Sequence, residues 1–152
     1  MKKIAFLSVL MSIFALCIAV DSFAQGRMGG GRGGGWGHGS QYGSMYNAQT
    51  VEIISGEVVS VDKITPMRGM HYGIHLMVKT EKEEISVHLG PGWFLENQDM
   101  DIEAKDQVEI TGSRITYEGK PALIAAEVRK GENVLVLRDK NGFPAWSGWR
   151  RR

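Results

Sequence analysis

Two short runs of the sequence alternate strictly between apolar and polar or small side chains, and this pattern constrains the fold more than any other feature. The runs are HYGIHLMVKT (residues 71–80) and EEISVHL (residues 83–89). A period of two residues is typical of half-buried β-strands. The apolar members are Tyr72, Ile74, Leu76, Val78, Ile85, Val87 and Leu89. The pattern predicts two strands that each bury one face.

A turn at Glu81-Lys82 would join the two strands into a hairpin in which Lys79 faces Glu84. Opposite charges across a strand pair are favourable, which supports this register. A slip of one residue would break the pair and move the apolar side chains to the wet face. The same register places His75 opposite His88 on the outer, solvated face, with Cβ atoms about 5 Å apart.

The rest of the region after residue 50 also has the pattern of a β-structure. Residues 51–64 are rich in β-branched side chains and contain Gly56, which predicts a strand that bends or bulges. The further predicted features are two strands in residues 107–131 around a turn at Glu118-Gly119, a C-terminal hairpin in residues 133–146 with its turn at Lys140, Asn141 and Gly142, and a helical turn near Trp93. The sequence therefore predicts one all-β domain over residues 50–149, a small OB-fold-like five-stranded barrel with a C-terminal β-hairpin. A small sandwich is the alternative.

Residues 1–24 have the features of a secretory signal peptide. Lys2 and Lys3 precede an apolar run of 17 residues, 4–20, and small residues precede Gln25. We expect cleavage before Gln25, export to the periplasm or beyond, and no membrane span in the mature protein. A retained anchor is the alternative, although the run is at the short limit for spanning a bilayer.

Cys17 is the only cysteine and lies within the predicted signal peptide. A mature chain without cysteine excludes internal disulfides, thiolate metal sites, a cysteine nucleophile and covalently attached c-type haem. The whole chain has 18 Lys and Arg and 17 Asp and Glu, and removal of Lys2, Lys3 and Asp21 leaves 16 of each. Because the mature chain has no net charge, it has no global field that would attract nucleic acid. The basic tail at residues 150–152 is a local exception.

Residues 25–49 have a different composition, since residues 26–46 are rich in glycine. Such a segment buries too little apolar surface to offset the entropy lost on ordering, so we predict a flexible linker. Its GRGGG stretch is similar to RNA-binding segments, which is the alternative interpretation. His38, within the linker, is a candidate for a loose metal ligand.

Several stretches between residues 51 and 149 resemble exported bacterial OB-fold proteins. Those similar to the domain of the magnetosome proteins MamS and MamX are VHLGPGWF and LRDKNGFPAWSGW, and KDQVEITG is also similar to the bacterial OB-fold stress-protein family. The resemblance implies an OB-like fold, export, and a link to iron and redox biology in the cell envelope. The chain departs from haem-bearing members in lacking a C-x-x-C-H motif.

Five residues form the candidate metal site: His75, His88, Met77, His71 and Met70. Two neutral imidazoles on neighbouring strands can chelate one divalent ion, and an added thioether shifts the preference towards copper. A free imidazole protonates near pH 6.5, so the sequence alone predicts that binding weakens there. The alternative is that these side chains form only the solvated face of the hairpin.

A resemblance to periplasmic copper chaperones with OB barrels, which combine histidine, methionine and tryptophan, makes Trp93 a candidate ligand-face aromatic. No catalytic constellation is visible, because the clustered carboxylates of residues 99–106 are typical of a solvated loop. We therefore expect a non-enzymatic module that binds a copper or iron ion or supports an envelope redox partner. The alternative is an OB-type module for nucleic acid or another extended anionic ligand, using aromatic side chains and the tail at residues 150–152.

The predicted export can be checked by mass. We expect protein isolated from the periplasm to begin at Gln25 and to lack Cys17, because the signal peptide would be removed during export. Intact-mass spectrometry measures this directly. A chain that retains Cys17, free or lipid-modified, would contradict export as a soluble protein.

Overall fold

Six strands form the framework of residues 35–147, the part of the chain that the computed structural model describes. They are β1 (Val51–Ile64), β2 (Gly73–Lys79), β3 (Glu84–Pro91), β4 (Gln107–Tyr117), β5 (Lys120–Lys130) and β6 (Asn133–Val136). One helical turn, α1 (Gly92–Leu95), follows β3, and two 3-10 turns, Gly43–Met45 and Ala48–Thr50, precede β1. The predicted signal peptide (1–24), the linker residues 25–34 and the tail (150–152) lie outside the described residues. Within residues 35–147, no helix has the length and apolar character needed to cross a membrane.

The strands form a barrel. Their order is β3-β2-β1-β4-β5-β6, and β3 also pairs with β5 in parallel, which closes five strands on themselves. β6 pairs with β5 and extends the sheet beyond the closed part. The predicted all-β fold with a small closed barrel of five strands is confirmed.

The predicted bulge in β1 and the predicted turn between β4 and β5 are both present. The register between β1 and β2 shifts between Val58 and Ser60, so the bulge expected in this strand lies just after Gly56. Gly56 itself is a point of close approach, because a Cβ there would meet the backbone of Lys79. The predicted turn at Glu118-Gly119 is present, and both residues have positive φ angles, 51° and 77°.

The β2–β3 hairpin has the predicted register. Lys79 pairs with Glu84 and His75 pairs with His88. The turn is closed by a hydrogen bond from the Thr80 backbone N–H to the Glu83 carbonyl at 2.8 Å, with Glu81-Lys82 at its centre. Local signals in the sequence were sufficient to define this element.

Cross-strand rows show which side chains share a face of the barrel, because paired residues on neighbouring strands point the same way. Leu76 pairs with Val87, which pairs with Leu123, and all three are buried inside the barrel. The next row runs along the outer face and consists of Asp62, His75, His88, Ile124 and Ser113. All of this outer row except Asp62 is buried. A second layer of the protein must therefore cover it.

That layer is the segment 35–50, called the strap below. Trp36 and Tyr42 are 0% and 1% exposed and belong to the hydrophobic core. The Trp36 indole N–H donates to the His71 carbonyl at 3.0 Å, and the Asn47 backbone N–H donates to Ser113 Oγ at 2.9 Å. For residues 35–49, the prediction of a flexible linker is wrong. The prediction rested on the average composition of the segment. The burial of two large aromatic side chains, Trp36 and Tyr42, instead holds the strap against the barrel.

The C-terminal segment covers the same side of the barrel. The predicted C-terminal hairpin is reduced to one bridge between Arg138 and Pro144 around a turn in which the Asp139 carboxylate accepts from two backbone N–H groups. Trp146, 4% exposed, donates its indole N–H to the Trp36 carbonyl at 2.9 Å. Arg138 lies beneath it, with its guanidinium carbon 5.0 Å from the Trp146 ring centroid. The strap and the C-terminal segment thus hold each other in place.

The contribution of the strap to stability is testable with Trp36→Ala. Truncation of a fully buried tryptophan leaves a cavity, so we expect the free energy of unfolding to fall by about 3–5 kcal/mol. Urea denaturation followed by circular dichroism measures it. Phe143→Ala is the matched control, because Phe143 is 50% exposed and its loss should change stability by less than about 1 kcal/mol. Equal effects of the two variants would show that the strap does not belong to the cooperative domain.

Candidate functional site

The outer face of the β2–β3 hairpin carries a stacked pair of histidines. The ring centroids of His75 and His88 are 3.8 Å apart and the ring planes differ by 10°. Their side chains are 2% and 1% exposed. The predicted proximity is confirmed, but the prediction that they lie on a solvated face is wrong, because the strap covers that face.

Two tyrosines, one from the strap and one from the last residue of β4, contact the pair. The Tyr42 hydroxyl lies 2.8 Å from Nδ1 of His88, and its ring is stacked on His88 at 5.9 Å. The edge contact of Tyr117 with His88 is closer, at 4.8 Å, and the Tyr117 hydroxyl donates to the Pro66 carbonyl at 2.6 Å. These contacts fix the orientation of the His88 ring from two sides.

Nε2 of each histidine is buried and has no hydrogen-bond partner in the described part of the chain. Most buried polar atoms in proteins are hydrogen-bonded, and leaving one without a partner costs about 1–3 kcal/mol. The third atom of this kind in residues 35–147 is Nε of Arg138, whose Nη1 donates to the Gly142 carbonyl at 3.1 Å. Two of the three unpartnered atoms thus belong to the stacked pair of rings.

Burial holds both imidazoles in the neutral state. It lowers the pKa of His75 to about 4, an effect that the negative charge of Asp62 opposes in part. Burial also lowers the pKa of His88 to about 3, and the neighbouring His75 lowers it further. Burial raises the pKa of Tyr42, so this hydroxyl stays protonated. The expected titration near pH 6.5 is therefore displaced to more acidic pH.

The other three predicted ligands have different positions. Met77 is half-buried and lies on the same face as His75, two residues along β2, where it pairs with Ser86. Met70 packs against Gly35 of the strap. His71 is exposed, and the group that contacts the strap is its backbone carbonyl. In residues 35–147, no three His, Cys, Asp or Glu side chains converge as a metal cluster.

The remaining two candidates are Trp93 and His38, and each contacts another aromatic ring. Trp93, proposed as a ligand-face aromatic, is half-buried on α1, and its ring centroid is 6.4 Å from that of Phe94. His38, proposed as a loose ligand, stacks on Phe143 with ring centroids 3.9 Å apart. The prediction for His38 assumed a flexible tract, whereas its ring contacts that of Phe143 in the C-terminal turn.

Sequence reasoning missed Tyr42 and Asp62. Tyr42 was hidden in the glycine-rich tract, where its composition suggested no partner. Asp62 lies directly opposite His75 across the β1–β2 pair, but this pairing depends on the bulge between Val58 and Ser60. A bulge changes which residues face each other, and the sequence does not define its position.

The alternative of an anionic ligand gains little from the described charges. Arg114 is 34% exposed at one end of the barrel, and two carboxylates neutralise it: Glu52 at 2.6 Å and Glu83 at 2.5 Å. Its pKa is raised by the hydrogen bonds to Glu52 and then Glu83. The basic tail invoked for that alternative lies outside the described residues.

The fold and the site define a small all-β barrel module with a buried, uncharged histidine pair. Residues 50–135 match the model of the MamS/MamX magnetosome protein family, and the chain belongs to this family. No curated protein is a significant match. The match covers all six strands up to Leu135 and begins at the last residue of the strap.

The buried histidines predict that the protein loses stability in acid. Their folded-state pKa values, about 4 and about 3, lie below the ordinary value of 6.5, so the unfolded state binds more protons between these limits. We expect the free energy of unfolding to fall as the pH drops below about 6.5, by up to about 1.4 kcal/mol per pH unit for each histidine. Urea denaturation at several pH values from about 4.5 to about 7.5 measures this slope. The range begins just above the folded-state pKa of His75 and ends above the ordinary pKa of histidine.

The variants for this test are His75→Asn and His88→Asn, which remove the titrating ring and keep an amide near the position of Nδ1. We expect the double variant to have a flatter pH dependence than the wild type. His71→Asn is the control, because His71 is exposed and its replacement should leave the slope unchanged. An unchanged slope in the double variant would show that the acid sensitivity arises elsewhere.

Proposed function

We propose that the protein is an exported, non-enzymatic accessory module that binds one transition-metal ion through Nε2 of His75 and Nε2 of His88. The observation that carries this proposal is the pair of buried, unpartnered Nε2 atoms. An ion would give both atoms the partner that the protein does not supply. Neutral imidazole is a good ligand for copper, iron, zinc and nickel.

The environment of His88 supports a ligand role. A histidine that binds a metal through Nε2 usually donates its other ring N–H to a polar group, which fixes the tautomer and the ring orientation. The Tyr42 hydroxyl occupies this position, 2.8 Å from Nδ1. When Nδ1 of His88 carries the proton and donates to Tyr42, the lone pair of Nε2 is free to bind an ion.

Ion binding must break the stacking of the rings. The lone pair of an imidazole nitrogen lies in the ring plane, and the two planes are separate and nearly parallel. An ion about 2.0–2.1 Å from each nitrogen cannot lie in both planes at once. At least one of the two rings must therefore turn out of the stack when the ion binds.

Met77 is the residue that would distinguish copper from the other ions. It shares the outer face of β2 with His75. Its thioether is a soft ligand, and soft ligands favour Cu(I) over Zn(II) or Fe(II). Contribution of Met77 would make the site selective for Cu(I), whereas two imidazoles alone would accept several divalent ions.

The non-enzymatic role is supported by the contacts of the other buried polar side chains. Within residues 35–147, the buried polar side chains besides His75 and His88 are Ser113 and Arg138. Ser113 forms hydrogen bonds with Asn47 and Thr50, and Arg138 contacts the Gly142 carbonyl and two aromatic rings.

Placement in the cell envelope is supported by the signal-peptide features of residues 1–24 and by membership of a magnetosome protein family.

The test is a titration of the purified protein with Cu(I), Cu(II), Zn(II) and Fe(II), each alone, followed by competition with chelators of known affinity. We expect one ion to bind per chain. We expect the double variant with His75→Asn and His88→Asn to lose at least about 100-fold in affinity, since both ligand nitrogens are removed. Binding should persist below pH 6.5, because burial keeps both imidazoles neutral there.

Two controls sharpen this experiment. His71→Asn should leave the affinity unchanged, because its exposed ring is outside the pair. Met77→Leu should weaken Cu(I) and leave Zn(II) unaffected if the thioether is a ligand. Equal affinities of the wild type and the double histidine variant would refute the proposed site.

A further inference from the structure

Asp62 is the exposed end of the row that contains the histidine pair. It pairs directly with His75 across β1 and β2, and His75 pairs with His88. Directly opposed residues have Cβ atoms about 4.5–5.5 Å apart, so the Asp62 carboxylate can reach the His75 ring. Its charge already acts on His75, since it opposes the effect of burial on the pKa of this residue.

We propose that Asp62 is a positioning residue that accepts a hydrogen bond from Nδ1–H of His75 and so keeps the lone pair of this imidazole on Nε2. The inference rests on the proposed function, because it assigns the partner that orients one of the two ligands. Asp62 would thus be the partner of Nδ1 at His75, as the Tyr42 hydroxyl is the partner of Nδ1 at His88.

The two edges of the His75 ring face different surroundings. Nε2 is the ring nitrogen that is fully buried without a partner. Nδ1 of His75 is not among the fully buried atoms without a partner, and the exposed residue that pairs with His75 is Asp62. A carboxylate at this position would recognise the N–H of Nδ1 and leave Nε2 free.

The carboxylate is also held in place. The Ser60 hydroxyl donates to Oδ2 of Asp62 at 2.9 Å, two residues earlier on β1. The other oxygen, Oδ1, remains for a second donor, since an ionised carboxylate accepts several hydrogen bonds. Ser60 thus orients Asp62, and Asp62 orients His75. Carboxylate–histidine–metal arrangements of this kind fix the tautomer and raise the basicity of the ligand.

The first arm of the test requires no metal. Long-range proton–nitrogen spectra of the full, metal-free protein labelled with ¹⁵N report which nitrogen of each imidazole carries the proton. We expect His75 to be protonated on Nδ1 in the wild type, and Asp62→Ala to move the proton of a measurable fraction of molecules to Nε2. Asp62→Glu should restore the wild-type tautomer. Asp62→Asn, which keeps a neutral acceptor, should lie between them.

The matched control is Glu84→Ala. Glu84 is an exposed carboxylate in the β2–β3 hairpin that contains His75, but it lies opposite Lys79 rather than a histidine. The control variant should leave the His75 tautomer unchanged. Because Asp62 is exposed, its variants should retain the fold, and the backbone region of the same spectra verifies this. Protonation of His75 on Nε2 in the wild type would overturn the inference, whatever the result with metal.

The second arm measures the affinity for Cu(I), Cu(II), Zn(II) and Fe(II), each added alone. We expect Asp62→Ala to bind each ion about 10–100-fold more weakly than the wild type, the usual effect of losing an orienting partner. Glu84→Ala should bind with unchanged affinity. If the wild type binds and Asp62→Ala binds equally well, the positioning role is refuted and the proposed function stands. If the wild type binds none of the four ions, the proposed function fails, and the tautomer measurement alone decides whether Asp62 orients His75.

Discussion

The hydrogen bond of 2.8 Å between the Tyr42 hydroxyl and Nδ1 of His88 joins the strap to the barrel at the centre of the outer row. Without the strap, the outer face of β2 and β3 would be the polar side of an ordinary half-buried sheet. With it, His75 and His88 become core residues, their imidazoles stay neutral, and their Nε2 atoms lose access to water. The chemistry of the site is thus a consequence of how the strap packs.

The packing of the strap depends on small residues of the barrel. A Cβ at Gly73 would meet the Trp36 indole, and a Cβ at Gly90 would meet the Trp146 indole, so glycine is required where each ring lies on the sheet. The two indoles are in edge contact at 6.2 Å and are linked by the hydrogen bond from Trp146 to the Trp36 carbonyl. Segments from both ends of the described chain therefore cooperate to bury the histidine pair.

The parts of the structure that follow from neighbouring residues could be predicted from the sequence, and the parts that depend on distant contacts could not. The register of β2 and β3 follows from local alternation, and the charge pair Lys79–Glu84 confirms it within one hairpin. The burial of His88 depends on Tyr42, 46 residues earlier in a tract whose average composition is that of a linker. The role of Asp62 depends on a bulge in β1. Strand existence and pairing were accessible, whereas the second layer that changes the environment of the site was not.

The energetic cost of the histidine pair is itself an argument for binding. Two buried nitrogens without partners each cost about 1–3 kcal/mol, and the neutral state of the rings reduces stability further in acid. Apolar side chains of similar volume at these positions would avoid both costs, as Leu76 and Val87 do in the adjacent row of the same hairpin. Packing alone therefore gives no reason for two histidines here. A ligand that satisfies both nitrogens does, because its binding energy stabilises the folded state to which it binds.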